Sequence, residues 1–125
     1  MKAIQLFLTV SVMSLLGLSL YAQEVSPAKK EAVQKAVREY IKSDSSLKGA
    51  FLIKDPKSNG VRELKFDQLH AGVSQTKDGH YSACVDFRQG AEVLDLDFFL
   101  ADDASGKPTV EKIVIHKVDG KPVSQ

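Results

Sequence analysis

The sequence contains no tryptophan and only one cysteine, Cys84, among its 125 residues. A single cysteine cannot form a disulfide within the chain, so packing and hydrogen bonds must hold the fold together. Aromatic residues are also few, with six phenylalanines and three tyrosines. This composition predicts a small and mainly aliphatic core.

Neither sign of charge is in excess, since 17 basic residues stand against 16 acidic ones. Nucleic acids and anionic membranes attract proteins with a basic excess, so neither is expected as a partner. The sequence also has no phosphate-binding glycine-rich loop, no Gly-x-Ser-x-Gly motif and no His-Glu-x-x-His motif. The signatures of several large enzyme classes are therefore missing.

The first 22 residues follow the pattern of a signal peptide. Lys2 gives a positive start, an uncharged apolar run extends from Ile4 to Leu20, and Ala22 is a small residue at the expected cleavage point. An uncleaved anchor is the alternative, but the run is near the shortest spanning length of about 17 residues. We predict cleavage near Ala22 and a periplasmic or extracellular protein without a stable membrane anchor.

Residues 23–125 are enough for one domain, which opens with a helix. Ser26 is a good N-cap and Pro27 suits the first helical position. Apolar residues then recur at helical spacing and form one stripe: Val33, Ala36, Val37, Tyr40 and Ile41. A polar run predicts the end of the helix between Ser43 and Ser46.

About five strands are predicted after the helix, because apolar and polar residues alternate with period two. They cover residues 49–54, 61–66, 81–88, 91–100 and 110–118. The segment 67–78 is less regular and is interpreted as a loop or a helical turn. The tail from Asp119 onward is polar and is expected to fray.

The third and fourth of these strands form the central hairpin, with Gln89 and Gly90 as the two-residue turn. That turn places Cys84 opposite Asp95, and places the apolar residues of both strands on one face.

The last strand is expected to continue the sheet beside the fourth. Pairing Leu100 with Thr109 places Lys112 opposite Asp97, and places His116 diagonal to Asp95.

One amphipathic helix and an antiparallel sheet with one apolar face predict a two-layer α+β domain. The order of these elements resembles the cystatin-like and nuclear-transport-factor-like architectures, in which a helix lies across a curved antiparallel meander. The resemblance covers most of residues 23–125 but includes no residue-level motif, so it implies a fold and no functional residue. Such scaffolds carry both binding proteins and enzymes.

The polar face of the predicted sheet holds the candidate binding residues, which are Cys84, Asp86, Asp95, Asp97, Lys112 and His116. Cysteine, histidine and carboxylates can ligate zinc. No paired ligand spacing accompanies them, so we favour a solvated sheet face and assign no metal and no cofactor. A Cys84 nucleophile is disfavoured because neighbouring acids raise a thiol pKa. His70 and His80 are interpreted as surface residues.

These observations favour an exported binding or interaction module for a protein or a small ligand, and they favour it over an enzyme. One alternative is a small cone-shaped α+β enzyme with Asp86, Asp95 and His116 in an enclosed pocket. A second alternative is a metal-handling protein.

Overall fold

The computed structural model describes residues 25–123, so the predicted signal segment and its cleavage point lie outside the described residues. The elements in chain order are α1 (Pro27–Lys48), β1 (Phe51–Lys54), β2 (Val61–Gln75), β3 (Tyr81–Gln89), β4 (Glu92–Asp102), β5 (Pro108–Val118) and β6 (Lys121–Pro122). The strands form one antiparallel sheet in the order β1-β2-β3-β4-β5-β6. The α+β class is therefore confirmed. The sheet has six strands where about five were predicted.

The extra strand, β6, lies in the tail that was expected to fray and pairs with the end of β5. Within residues 25–123, no helix has the length and apolar character that a membrane crossing requires.

The helix begins where the sequence predicted but ends later. The Ser26 hydroxyl accepts a hydrogen bond from the Lys29 amide at 3.3 Å, with Pro27 in the first turn. The predicted end between residues 43 and 46 is wrong. The Ser46 hydroxyl donates a hydrogen bond to the Lys42 carbonyl at 2.8 Å. This bond allows a serine to lie inside the helix. The helix stops at Gly49, whose φ of +81° is the left-handed conformation that glycine adopts at low cost.

Strand β2 continues through residues 67–75, where the sequence predicted a loop or a helical turn. Its pairing with β3 is irregular between Phe66 and Gln68, and again between Leu69 and Val73. The first irregularity shifts the alternation of inward and outward side chains, and the second adds two residues to β2, so the strand does not show one continuous period-two pattern. His70 lies in the second irregular segment.

The central hairpin turns at Gly90 and Ala91, so the predicted register is wrong by two residues. Gly90 has a φ of +58° at the first central position, where a type II′ turn calls for glycine. Cys84 consequently lies opposite Asp97, and Asp86 opposite Asp95. A shift of two residues keeps every side chain on its predicted face, whereas a shift of one would have reversed them.

The predicted pairing of β4 with β5 is also wrong. Lys112 lies opposite Phe99, and not opposite Asp97. The pairing is irregular between Asp95 and Leu96 and between Phe99 and Leu100. These irregularities change the register twice along β4 and β5. The prediction extended one residue pair along the whole strand at a fixed register, and it therefore could not reproduce the observed pairing.

The core lies between α1 and one face of the sheet. Leu94, Leu96 and Phe98 of β4 are fully buried there. From the helix, Val33, Val37 and Ile41 enter the same core. The rings of Phe51 and Phe87 stack with centroids 4.7 Å apart, and Phe87 stacks on Phe98 at 6.3 Å. The prediction that α1 covers the apolar sheet face is confirmed, and Asp95 and Asp97 therefore face away from the helix.

Truncation of the buried Leu96 tests this arrangement. We expect Leu96→Ala to lower the free energy of unfolding by about 2–5 kcal/mol, because the lost methyl groups leave a cavity in a packed core. Leu47→Ala is the matched control, since Leu47 is 85% exposed on α1. Chemical denaturation measures both variants, and equal losses of stability in the two would contradict the assignment of the core.

Candidate functional site

The face of the sheet opposite α1 brings three carboxylates together at its centre. Asp86 on β3 and Asp95 on β4 are direct cross-strand partners, and Asp97 lies two residues further along β4. Their side chains are only 19–25% exposed. Like charges facing each other across two strands are destabilising unless a cation or a proton offsets them.

His70 borders this group at one end. Its Nε2 lies 2.9 Å from Asp86 Oδ2. The sequence pattern indicates a surface position for His70, and no signal in the sequence could have placed His70 beside Asp86. Its position follows from the irregular pairing of β2 with β3, which is a tertiary feature.

His116 borders the group at the other end. Its Nδ1 lies 3.4 Å from Asp97 Oδ2 and 3.9 Å from Asp95 Oδ2. The sequence pattern predicts His116 diagonal to Asp95 within a regular ladder. The structure instead places it at the irregular pairing between β4 and β5, and brings it to both acids.

The sheet-face cluster, as we name it, consists of His70, Cys84, Asp86, Asp95, Asp97 and His116. Five of the six candidate binding residues from the sequence therefore lie together. Lys112 does not belong to the cluster, because its strand partner is Phe99. It lies beside a separate surface depression with Thr76, His80 and Glu111.

Asp95 is the central acid of the cluster. Burial raises the pKa of its carboxyl group above the usual range, and the neighbouring charge of Asp97 raises it further. Asp95 Oδ1 is buried and has no hydrogen-bond partner among the described residues. A buried carboxylate oxygen without a donor is unfavourable, so this atom is the point at which a cation would stabilise the cluster most.

Cys84 is held as a protonated thiol. Its Sγ donates a hydrogen bond to Asp97 Oδ1 at 3.0 Å. Burial raises the pKa of the Cys84 thiol to about 12, with a further contribution from the bond to Asp97. The thiolate that a nucleophile requires is therefore scarce at neutral pH.

The donor atoms of the cluster are close enough to hold a metal ion. One atom each from His70, Asp86 and Asp95 lie within 4.8 Å of one another. Cys84, Asp95 and Asp97 form a second such group, which shares Asp95 with the first. Ligands at zinc-like bond lengths stand about 3–4 Å apart, so small side-chain movements would complete either set.

The cluster reaches solvent at both ends. The side chains of His70 and His116 are 40% and 46% exposed. An enzyme of the kind considered from the sequence requires these groups in an enclosed pocket, whereas the imidazoles here border an open face. The arrangement can bind a ligand that approaches from solvent.

Comparison with protein-family models, with curated proteins and with solved structures gives no match to this chain. The function is therefore inferred from the geometry of the cluster.

The reactivity of Cys84 tests the electrostatics of the cluster. We expect the thiol of the folded protein to resist iodoacetamide at pH 8, because its pKa of about 12 leaves it protonated. Asp97→Asn should increase the alkylation rate, since it removes the charged acceptor that stabilises the protonated form.

Lys112→Ala is the control for this experiment and should react like the original protein. Mass spectrometry of timed samples gives the rates. Rapid alkylation of the folded original protein would contradict the assigned thiol environment.

Proposed function

We propose that this chain is an exported binding module that holds a divalent transition-metal ion on the open face of its sheet. The single observation that carries the proposal is the convergence of donor atoms from His70, Asp86 and Asp95 within 4.8 Å. These residues come from three different strands, β2, β3 and β4. The cluster is therefore a product of the fold and not of local sequence.

The types of donor atom favour one class of metal. Imidazole nitrogen suits zinc, copper, iron and nickel, whereas calcium and magnesium take oxygen ligands. A set of one imidazole and two carboxylates supports a zinc-like ion over calcium or magnesium. Three protein ligands also leave a fourth position open for water or for a second ligand.

The charges of the cluster support the same assignment. Three carboxylates lie side by side, and no lysine or arginine forms an ion pair with Asp86, Asp95 or Asp97 among the described ion pairs. A bound cation would offset their mutual repulsion and would coordinate the unpartnered Oδ1 of Asp95. Burial and then the neighbouring charge of Asp97 raise the pKa of Asp95, whereas a bound cation would favour the charged carboxylate.

Export is supported by the sequence of the first 22 residues, with its positive start, apolar run and small residue at the end. The cystatin-like or nuclear-transport-factor-like architecture is supported by the order of one helix followed by an antiparallel meander. A binding role, in place of catalysis, is supported by the open position of the cluster and by the protonated thiol of Cys84.

Metal binding can be tested by isothermal titration of the chelator-treated protein with Zn²⁺ at pH 7.5. We expect His70→Ala to weaken binding of the ion held by His70, Asp86 and Asp95 by about 100-fold or more, because loss of a residue that only supports a ligand already costs about 10–100-fold. Ca²⁺ and Mg²⁺ should bind far more weakly than Zn²⁺.

His80→Ala is the matched control for His70→Ala. His80 also lies between carboxylates, at 2.8 Å from Glu111 Oε2 and 3.1 Å from Asp78 Oδ1, but outside the cluster. The His80→Ala substitution should leave the affinity for Zn²⁺ unchanged. Equal weakening by both substitutions, or no Zn²⁺ binding by the original protein, would refute the proposed function.

Export can be tested by expressing the full chain in a bacterial host and fractionating the cells. We expect the mature protein outside the cytoplasm with Gln23 as its first residue, because the small Ala22 precedes the cleavage point. Leu16→Arg should retain the uncleaved chain in the cytoplasm, since a charge interrupts the apolar run. Cytoplasmic, uncleaved original protein would be the contrary result.

A further inference from the structure

We infer that the sheet-face cluster has a second metal position beside the first, formed by Asp97 and His116, with Asp95 shared between the two ions. This inference rests on the proposed function. It extends that function from one ion at His70, Asp86 and Asp95 to a pair of ions bridged by the Asp95 carboxylate.

The two oxygens of Asp95 have different surroundings. Oδ2 lies 3.9 Å from His116 Nδ1, on the side of the second position. Oδ1 is buried without a hydrogen-bond partner among the described residues. Asp95 also belongs to both of the close donor groups, with His70 and Asp86 in one and with Cys84 and Asp97 in the other. A carboxylate between two donor groups can give one oxygen to each ion.

Asp97 is oriented for the second position by the Cys84 thiol. The thiol donates to Oδ1 at 3.0 Å, and the other oxygen, Oδ2, lies 3.4 Å from His116 Nδ1. A hydrogen bond to the distal oxygen of a ligating carboxylate is a common outer-shell device that fixes the ligand's direction. Cys84 is accordingly a positioning residue, and the ligands of the second ion are Asp95, Asp97 and His116.

The two positions have the same composition. Each has one imidazole, one carboxylate of its own and a share of Asp95, so each suits the same class of metal ion. Three ionised carboxylates carry three negative charges. One divalent ion leaves a residual negative charge, which favours the arrival of a second ion. Metal pairs in proteins are held about 3.5–4 Å apart, a separation that one bridging carboxylate spans.

Native mass spectrometry of the purified chain with added Zn²⁺ counts the bound ions, and titration calorimetry gives the stoichiometry independently. The original protein should hold two ions. His116→Ala and Asp97→Asn should each retain one ion, and so should His70→Ala, which removes a ligand of the other position. Lys112→Ala, outside the cluster, should retain two. Circular dichroism verifies that each variant is folded.

One ion in the original protein would overturn the second position and leave the proposed function intact. Two ions in both the His116→Ala and Asp97→Asn variants would also overturn it, because the second ion would then lie elsewhere. No ion in the original protein would refute both the inference and the proposed function.

Discussion

Burial of one face of the sheet beneath α1 is the constraint on which the rest of this structure depends. Leu94, Leu96 and Phe98 are fully buried in the core that the sheet shares with the helix, and they hold β4 in one orientation. Because neighbouring residues of a strand face opposite ways, Asp95 and Asp97 must then lie on the other face. The acidic cluster is therefore a direct consequence of how the apolar core is packed.

Irregular strand pairing adds the two histidines to the acids that the core packing places on the outer face. The β2–β3 pairing is interrupted next to His70, and the β4–β5 pairing is interrupted next to His116. A bulge redirects a side chain and increases local twist, and such features often occur beside functional sites. Here the two interruptions bring one imidazole to each end of a row of acids.

The chemistry of the cluster follows from partial burial and like charge. Both effects oppose ionisation of Asp95, and burial together with the bond to Asp97 keeps the Cys84 thiol protonated. In a fully solvated row of surface acids, burial and like charge would raise these pKa values less. A divalent cation bound as proposed would offset both effects.

The sequence was sufficient for the elements that depend on local patterning. Period-two alternation assigned Asp86, Asp95 and Asp97 to the polar face, and helical spacing assigned Val33, Val37 and Ile41 to the core, because these periods are properties of the backbone. Even the error in the hairpin turn was harmless, since a shift of two residues preserves the faces. His70 could not be placed in this way, and the partners of His116 and Lys112 could not be identified. Their positions depend on bulges, and a bulge forms where twist and packing of several strands are satisfied together, which no single strand's pattern encodes.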